Sequence, residues 1–315
     1  MNYRDITQLN DIIVKNIHKI PFDIDLVVGI PRSGIIPANM IALYRNVPFV
    51  TLTEYEKGIC FSGGERLNNS NIKSIKKVLI IDDSLCSGNA LTLCKEKIKY
   101  LSYEVEYLYG VIFVIPENVD KVDIYFETLS IPRVFQWNIM HHSIISHSCV
   151  DIDGVLCLDP TEKENDDGIL YENFILNAQP LFLPTVKIHT LVSCRLERYR
   201  NLTEIWLKKH NIEYENLILL DLPNKEARLK WGKYGEYKAD AYSKSDCSLF
   251  VESSLCQANK IAKITNKPVF CIENFQLIYK HRIRTKIKNI IRKILQEIGL
   301  YEKTVKLWTM INKEY

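Results

Sequence analysis

Two pairs of carboxylates stand out in this 315-residue chain by their spacing. Asp151 and Asp153 are one residue apart in VDIDGV, directly after an apolar run. On a strand end, residues i and i+2 point the same way. One carboxylate so placed can attack a phosphate while the other protonates the leaving group, with magnesium neutralising charge on both. Asp82 and Asp83 are adjacent, closing the run VLII, and SLCSGNAL follows them. A small-residue loop opening a helix offers backbone N–H groups and a favourable dipole to a phosphate. Adjacent acidic residues at a strand tip suit a ribose diol or its bound magnesium. In VVGIPRSGIIPANMIA (27–42) a strand, a tight turn and a helix recur, with Arg32, Ser33 and Gly34 at the turn. An arginine there is always charged and grips phosphate oxygens with two donors at once.

The elements that position these groups are short apolar strands alternating with amphipathic helices. LVVGI (26–30), VLIID (78–82) and YGVIFVI (109–115) read as buried strands, the first two followed by helical patterns. A second set comprises SCVDID (148–153), IHTLVS (188–193), NLILLDL (216–222), SLFVE (248–252) and PVFCI (268–272). Helical patterns lie between them at 196–210 and 254–266. Such alternation predicts α/β architecture with parallel sheets covered on both faces, here two tandem Rossmann-like domains. The boundary is expected between Trp137 and Ser148, giving domains 1–146 and 147–278 and a basic amphipathic helical tail, 279–315.

Composition excludes several classes. Hydrophobic residues are 47% and charged residues 25% of the chain, which rules out collagen-like and disordered proteins. No apolar run approaches the ~20 residues that span a bilayer. The N-terminus carries two Asp and no apolar core of a secretory signal. Nine scattered cysteines without a C-x-x-C fit a reducing, cytoplasmic setting. Net charge is +3, yet 279–315 holds 10 Lys+Arg against 3 Asp+Glu, leaving 31 against 35 elsewhere. An acidic body argues against nucleic acid as a partner.

The first-half motifs resemble the PRPP-binding signature of type I phosphoribosyltransferases. The resemblance implies that Asp82 and Asp83 hold the ribose hydroxyls and that Cys86, Ser87, Gly88, Asn89 and Ala90 form the 5-phosphate loop. Cys86 and Ala90 depart from the family, which usually has hydroxyl residues there. Arg32, Ser33 and Gly34 match its pyrophosphate loop. The segment 53–67 matches its flap over the active site, with Glu54, Tyr55 and Arg66 as candidates and an ordinary surface loop as the alternative.

The second-half motifs resemble those of haloacid dehalogenase (HAD) superfamily phosphatases. The resemblance implies Asp151 as nucleophile, Asp153 as general acid/base, Ser193 as the phosphoryl-binding hydroxyl and Lys238 as the charge-offsetting lysine. Lys233 and Lys244 are rivals for that last role. The implied magnesium ligands are Asp151, Asp153 and Glu252, a lone Glu where an Asp pair is usual. Only about 30 residues, 156–187, separate the first two motifs, too few for a large cap and suited to a bulky substrate.

Together the motifs resemble bacterial systems that install ribofuranose in surface polysaccharides. The implied sequence is transfer of 5-phosphoribose from PRPP to a glycan acceptor, lipid-linked in one version, and then removal of the 5-phosphate. A nucleobase phosphoribosyltransferase with nucleotide phosphatase activity and a PRPP-sensing regulator are the alternatives. The tail spaces Ile283, Ile287, Ile290, Ile294 and Ile298 among basic residues, and Trp308 follows. Such a helix can lie on an anionic membrane or pack on the protein body. His141, His142 and His147 lack neighbours at ligand spacing and read as linker.

Overall fold

The computed structural model describes residues 1–59, 75–101 and 104–279. Arg66 and the tail from 280 onward, including its Ile series and Trp308, lie outside the described residues. The chain divides into two compact units, Met1–Asn138 and Ile139–Tyr315.

In the first unit the described elements are β1 (Asn2–Arg4), α1 (Ile6–Asn16), β2 (Leu26–Gly29), α2 (Ile35–Arg45), β3 (Phe49–Thr51), α3 (Leu52–Glu56), β4 (Lys77–Leu85), α4 (Asn89–Lys99), β5 (Glu106–Val114), β6 (Ile124–Thr128) and β7 (Arg133–Phe135). Among the described residues, the main sheet has five parallel strands in the order β3-β2-β4-β5-β6, and β1 pairs with β7 apart from it. The chain leaves β2 outward through α2 to β3, then returns to the other side of β2 as β4. The order therefore reverses between β2 and β4, where doubly wound sheets open a ligand crevice beyond their carboxyl ends. Alternate strand residues cover both faces. Val27, Leu79 and Ile81 pack with Leu9, Ile13 and Ile41, and Val28, Val78 and Ile80 with Tyr55, Leu91 and Ile98.

The second unit contains β8 (Ser148–Val150), α5 (Ile169–Asn177), β9 (Ile188–Leu196), α6 (Arg200–Lys209), β10 (Tyr214–Leu220), α7 (Lys225–Trp231), α8 (Tyr234–Lys244), β11 (Leu249–Glu252), α9 (Leu255–Thr265), β12 (Val269–Cys271) and β13 (Gln276–Ile278). The sheet order among described residues is β10-β9-β8-β11-β12-β13, with only the β12–β13 pair antiparallel. Here the reversal falls between β8 and β11. Tyr242 of α8 and Ile261 of α9 pack with Cys149, Phe250 and Val269. Trp206 of α6 is fully buried and donates to the Ala178 carbonyl at 2.8 Å.

Parallel α/β architecture is as expected, but three boundaries differ in ways that matter for chemistry. β4 does not end at its carboxylates: β5 is long enough to continue the ladder, pairing Asp82 with Val111 and Leu85 with Val114. β8 stops one residue before Asp151, because the Ile152 carbonyl accepts from the N–H groups of Val155, Leu156 and Cys157 and turns the chain. β9 runs past Ser193 to Leu196, so α6 begins four residues later than the expected start at 196. The flap segment also opens differently. Residues 52–56 form α3, and Tyr55 is a core residue whose hydroxyl meets that of Tyr107 at 3.0 Å. Among the described residues no helix is long and apolar enough to cross a membrane.

Candidate active sites

The first candidate site lies at the β2/β4 reversal. Burial, then repulsion from Asp83, lifts the Asp82 carboxyl from its ordinary value to about 8. Burial also raises Asp83, against the stabilising hydrogen bond from the Trp137 indole N–H at 2.7 Å. Asp82 Oδ1 accepts the backbone N–H of Asp83 at 2.8 Å. Cys86, Ser87, Asn89 and Ala90 are exposed and line, with Asp82, Ser84 and Gly88, a cavity of about 180 Å³. Gly88 has φ of 90°, a conformation side chains rarely adopt, and it carries the chain into the N-terminus of α4. The first turn of α4 borders the cavity, with the Asn89 N–H donating to Ser87 Oγ at 3.4 Å, and the N-terminal N–H groups of a helix suit an anion. The Asn118 amide holds the loop by donating to the Cys86 carbonyl.

The β2 loop is built against the same carboxylate. A Cβ on Gly34 would stand 2.7 Å from the Ile30 oxygen and 2.8 Å from Asp82 Cα, so only glycine lets the loops approach this closely. The Pro31–Arg32 peptide is cis. Arg32 is exposed; its guanidinium donates to Asn138 Oδ1 at 2.9 Å, and Asn138 Nδ2 donates to Ser33 Oγ at 2.8 Å. Residues 133–138 thus bind both loops: Trp137 reaches Asp83, and Asn138 reaches Arg32 and Ser33. Arg133, buried, stabilises Asp83 electrostatically. The sequence reading left these three residues unassigned. The near-perfect stacking of Phe135 on Trp137, 5.0 Å apart at 11°, keeps the strip rigid.

The second candidate site lies at the β8/β11 reversal. Lys238 Nζ of α8 donates to Asp151 Oδ2 at 2.6 Å and to Glu252 Oε2 at 2.8 Å. All three side chains are no more than 5% exposed. Burial opposes the Lys238 ammonium, yet the two carboxylates hold its pKa above its ordinary value. Burial pushes the Asp151 carboxyl up, against the pull of Lys238 and with the push of Glu252. Of the three lysines considered, Lys238 is the one at the carboxylates; Lys244 pairs with Asp240 on the surface, and Lys233 is exposed at the start of α8.

Asp153 points elsewhere. The fully buried guanidinium of Arg195 takes both its oxygens, Nε at 3.2 and 3.1 Å and Nη2 at 2.7 Å. Arg195 also contacts Cys157 and Thr203 and lies over the Phe174 ring. A bulge positions it: β9 advances from Val192 to Leu196 while β10 advances only from Ile218 to Leu220. Such bulges re-aim side chains beside active sites. Ser193, in the same bulge, is buried and accepts the Arg195 N–H at 3.2 Å. Two positioning features were missed in the sequence, Arg195 and Asp159. The latter's carboxylate lies 2.9 Å from where a Gly154 Cβ would stand, and burial raises its pKa.

Magnesium, implied by the second resemblance, suits part of the expected ligand set. Asp151 and Glu252 offer hard oxygens, but the point on which they converge holds the Lys238 ammonium; magnesium, usually held by one or two carboxylates with water and phosphate completing the shell, would have to bind beside it. Asp153, the third expected ligand, is committed to Arg195. Among the described residues no group of three or more His, Cys, Asp or Glu side chains is arranged to hold a metal. His142 Nδ1 instead accepts the Ile144 N–H at 3.0 Å, and His141 meets Thr185.

No protein-family model and no curated protein matches the chain. Among solved structures it is similar to a purine phosphoribosyltransferase from Pyrococcus horikoshii, at 22% identity and TM-score 0.34, over 43% of this chain and 92% of that one. It is similar to the xanthine-guanine-hypoxanthine phosphoribosyltransferase of Helicobacter pylori, at 15% identity and TM-score 0.32, over 44% and 92%. It is also similar to an adenine phosphoribosyltransferase from Leishmania donovani, at 16% identity and TM-score 0.28, over 39% and 65%.

Three outcomes follow from this geometry. Gly34→Ala forces backbone apart and is expected to lower stability by about 1–3 kcal/mol in urea unfolding. Because the native state holds a proton on Asp82 that the unfolded chain releases above pH ~4, this group's contribution to stability falls as pH rises toward 8. Asp82→Asn removes that loss, so its stability gain over wild type should grow between pH 5 and pH 8, read from urea midpoints at both. Arg195→Met leaves Asp153 without its cation and should cost about 3–5 kcal/mol by the same measurement.

Proposed function

We propose that this chain transfers 5-phosphoribose from PRPP to a hydroxyl of a glycan acceptor and then removes the 5-phosphate, leaving a ribofuranose. The observation that carries the reading is the presence, in one chain, of two sites suited to successive phosphorylated substrates. One sets paired carboxylates beside a phosphate-sized cavity at a helix N-terminus; the other sets a buried nucleophile-type carboxylate against a lysine.

In the first unit, the loop 86–90 receives the 5-phosphate through backbone N–H groups, and Asp82 and Asp83 accept from the ribose hydroxyls. Arg32, kept in place by Asn138, and the backbone of Ser33 and Gly34 receive the diphosphate. The acceptor oxygen forms a bond to C1 as the C1–O bond to diphosphate breaks, and charge building on the leaving group is met by donors already in place. In the second unit, Asp151 attacks phosphorus and the bond to the ribose O5 breaks. For Asp153 to supply the proton to that oxygen, and then take one from the water that hydrolyses the aspartyl phosphate, its carboxylate must first exchange its Arg195 contacts for the substrate. Ser193 donates to a phosphoryl oxygen, and Lys238 offsets negative charge. Magnesium, were Asp151 and Glu252 to hold it, would add to the neutralisation of the phosphoryl oxygens.

Loss of the phosphate makes the first step hard to reverse, which gives a reason for joining the two activities. The short segment 156–187 leaves room for a large substrate, and a lipid-linked glycan at the inner face of a bacterial membrane fits that opening and the basic segment 279–315.

The test is mass spectrometry of wild type and Asp151→Asn incubated with PRPP, magnesium and panels of glycan and nucleobase acceptors. The variant should accumulate a phosphoribosylated glycan that wild type converts to a ribosylated one. Reaction with nucleobases alone replaces this reading with nucleobase salvage; PRPP binding without any product replaces it with a sensor.

A further inference from the structure

Nothing in the proposed chemistry uses the cluster at the opposite, amino-terminal end of the second sheet. Cys149 lies in β8 and Cys247 just before β11, and both are buried in one apolar cluster. The two thiols are neighbours, and each shifts the other's titration. Ser245 Oγ touches both residues, 3.4 Å from Cys149 Sγ and 3.4 Å from the Cys247 N–H. On its other side Cys247 Sγ lies 3.2 Å from His189 Nδ1, while His189 Nε2 faces Glu215 Oε2 at 3.9 Å. An imidazole protonated at Nε2, toward that carboxylate, leaves Nδ1 as an acceptor for the thiol, a position that the Thr190 hydroxyl at 2.8 Å also approaches. Lys267 donates to the Cys247 carbonyl at 3.1 Å. The His189 side chain is 29% exposed and so connects the buried pair to solvent.

We propose that Cys149 and Cys247 form a reversible disulfide, with Cys247 as the attacking thiol, His189 as its base and a peroxide as the oxidant. Chemistry and geometry agree on the order of events. Cys247 sulfur attacks one peroxide oxygen as its proton passes to His189 Nδ1. The O–O bond breaks, leaving a sulfenic acid on Cys247, and the departing hydroxide takes the proton from His189 to leave as water. Cys149 sulfur then displaces the sulfenyl hydroxyl, its own proton leaving with that group as a second water. Two thiols and one hydrogen peroxide become one disulfide and two waters. Hydrogen bonding from Cys149 and Ser245, with the electrostatic pull of His189 and Lys267, favours the Cys247 thiolate against burial and brings its pKa down to about 6. Hydrogen peroxide is small enough to approach along the partly exposed His189 ring.

The cluster shares its strands with the second unit's proposed active site. β8 leads from Cys149 to Asp151, and β11 leads from just after Cys247 to Glu252. A bond between the two sulfurs ties together the roots of the two strands that carry those carboxylates.

The experiment treats the full chain with hydrogen peroxide at neutral pH, blocks free thiols after denaturation, and maps cysteine-bearing peptides without reduction. The expected result is a cross-link joining the Cys149 and Cys247 peptides, removed by dithiothreitol. His189→Gln should slow its formation about tenfold, because the thiolate is the reacting form. Exposed Cys86 and Cys256 are internal controls. If they oxidise while Cys149 and Cys247 are recovered as free thiols, the proposal fails. A cross-link to another cysteine also overturns it, and an unchanged rate in His189→Gln overturns the assignment of the base.

Discussion

A single ammonium group joins the second unit's fold to its chemistry. Lys238, Asp151 and Glu252 are three ionisable side chains withdrawn almost completely from water, and each alone would be costly to bury. Their mutual contacts at 2.6 and 2.8 Å offset that cost only in one arrangement. Asp151 follows β8, Glu252 ends β11 and Lys238 stands on α8, so the helix must cross above the reversal between the two strands. Apolar packing at Ala239 and Tyr242 on the same helix favours the same placement. The constraint that makes the cluster tolerable therefore also aims a carboxylate at the one place in the sheet where a ligand can enter.

The first unit meets the same problem with different means. Asp82 and Asp83 are adjacent, largely withdrawn from water and without an ion-pair partner among the described residues, and their charges repel. Proton retention on Asp82 and the neutral Trp137 N–H, rather than a lysine, relieve the strain. A site of that kind is under-satisfied for acceptors and suits a ligand that brings hydroxyl donors. The second site sets an ammonium between two carboxylates, so it carries a cation that a ligand bringing phosphoryl oxygens can meet. The contrast follows from which charges the protein supplies and which it leaves to the substrate.

Much of this was legible from local pattern. The alternation of apolar runs and amphipathic helices gives parallel sheets, and glycine at 34 and 88 marks turns where backbone must come close or adopt positive φ. Strand ends were less legible, since they depend on the partner. β4 runs on through Asp82 because β5 is long enough to pair with it, and β8 stops at Val150 because the Ile152 carbonyl gathers three N–H groups in a turn. The choice of Lys238 over Lys233 and Lys244 likewise rests on the face of α8 that meets the sheet, which spacing alone does not reveal.

The residues that escaped sequence reading share one property: their partners are distant in the chain. Trp137 reaches Asp83 across 54 positions, and Asn138 reaches Ser33 across 105. Neither carries a local signature, and both fall where the apolar pattern breaks, so they read as linker. Arg195 is different, because a signal for it was present. It stands in IHTLVSCRL, an arginine enclosed by apolar residues on a strand that must be buried on both faces. A guanidinium cannot lose its charge there, so it needs a carboxylate from another part of the same site. Asp151, Asp153 and Glu252 were the acids open to it, and the fold gives it Asp153, because Lys238 on α8 takes the other two.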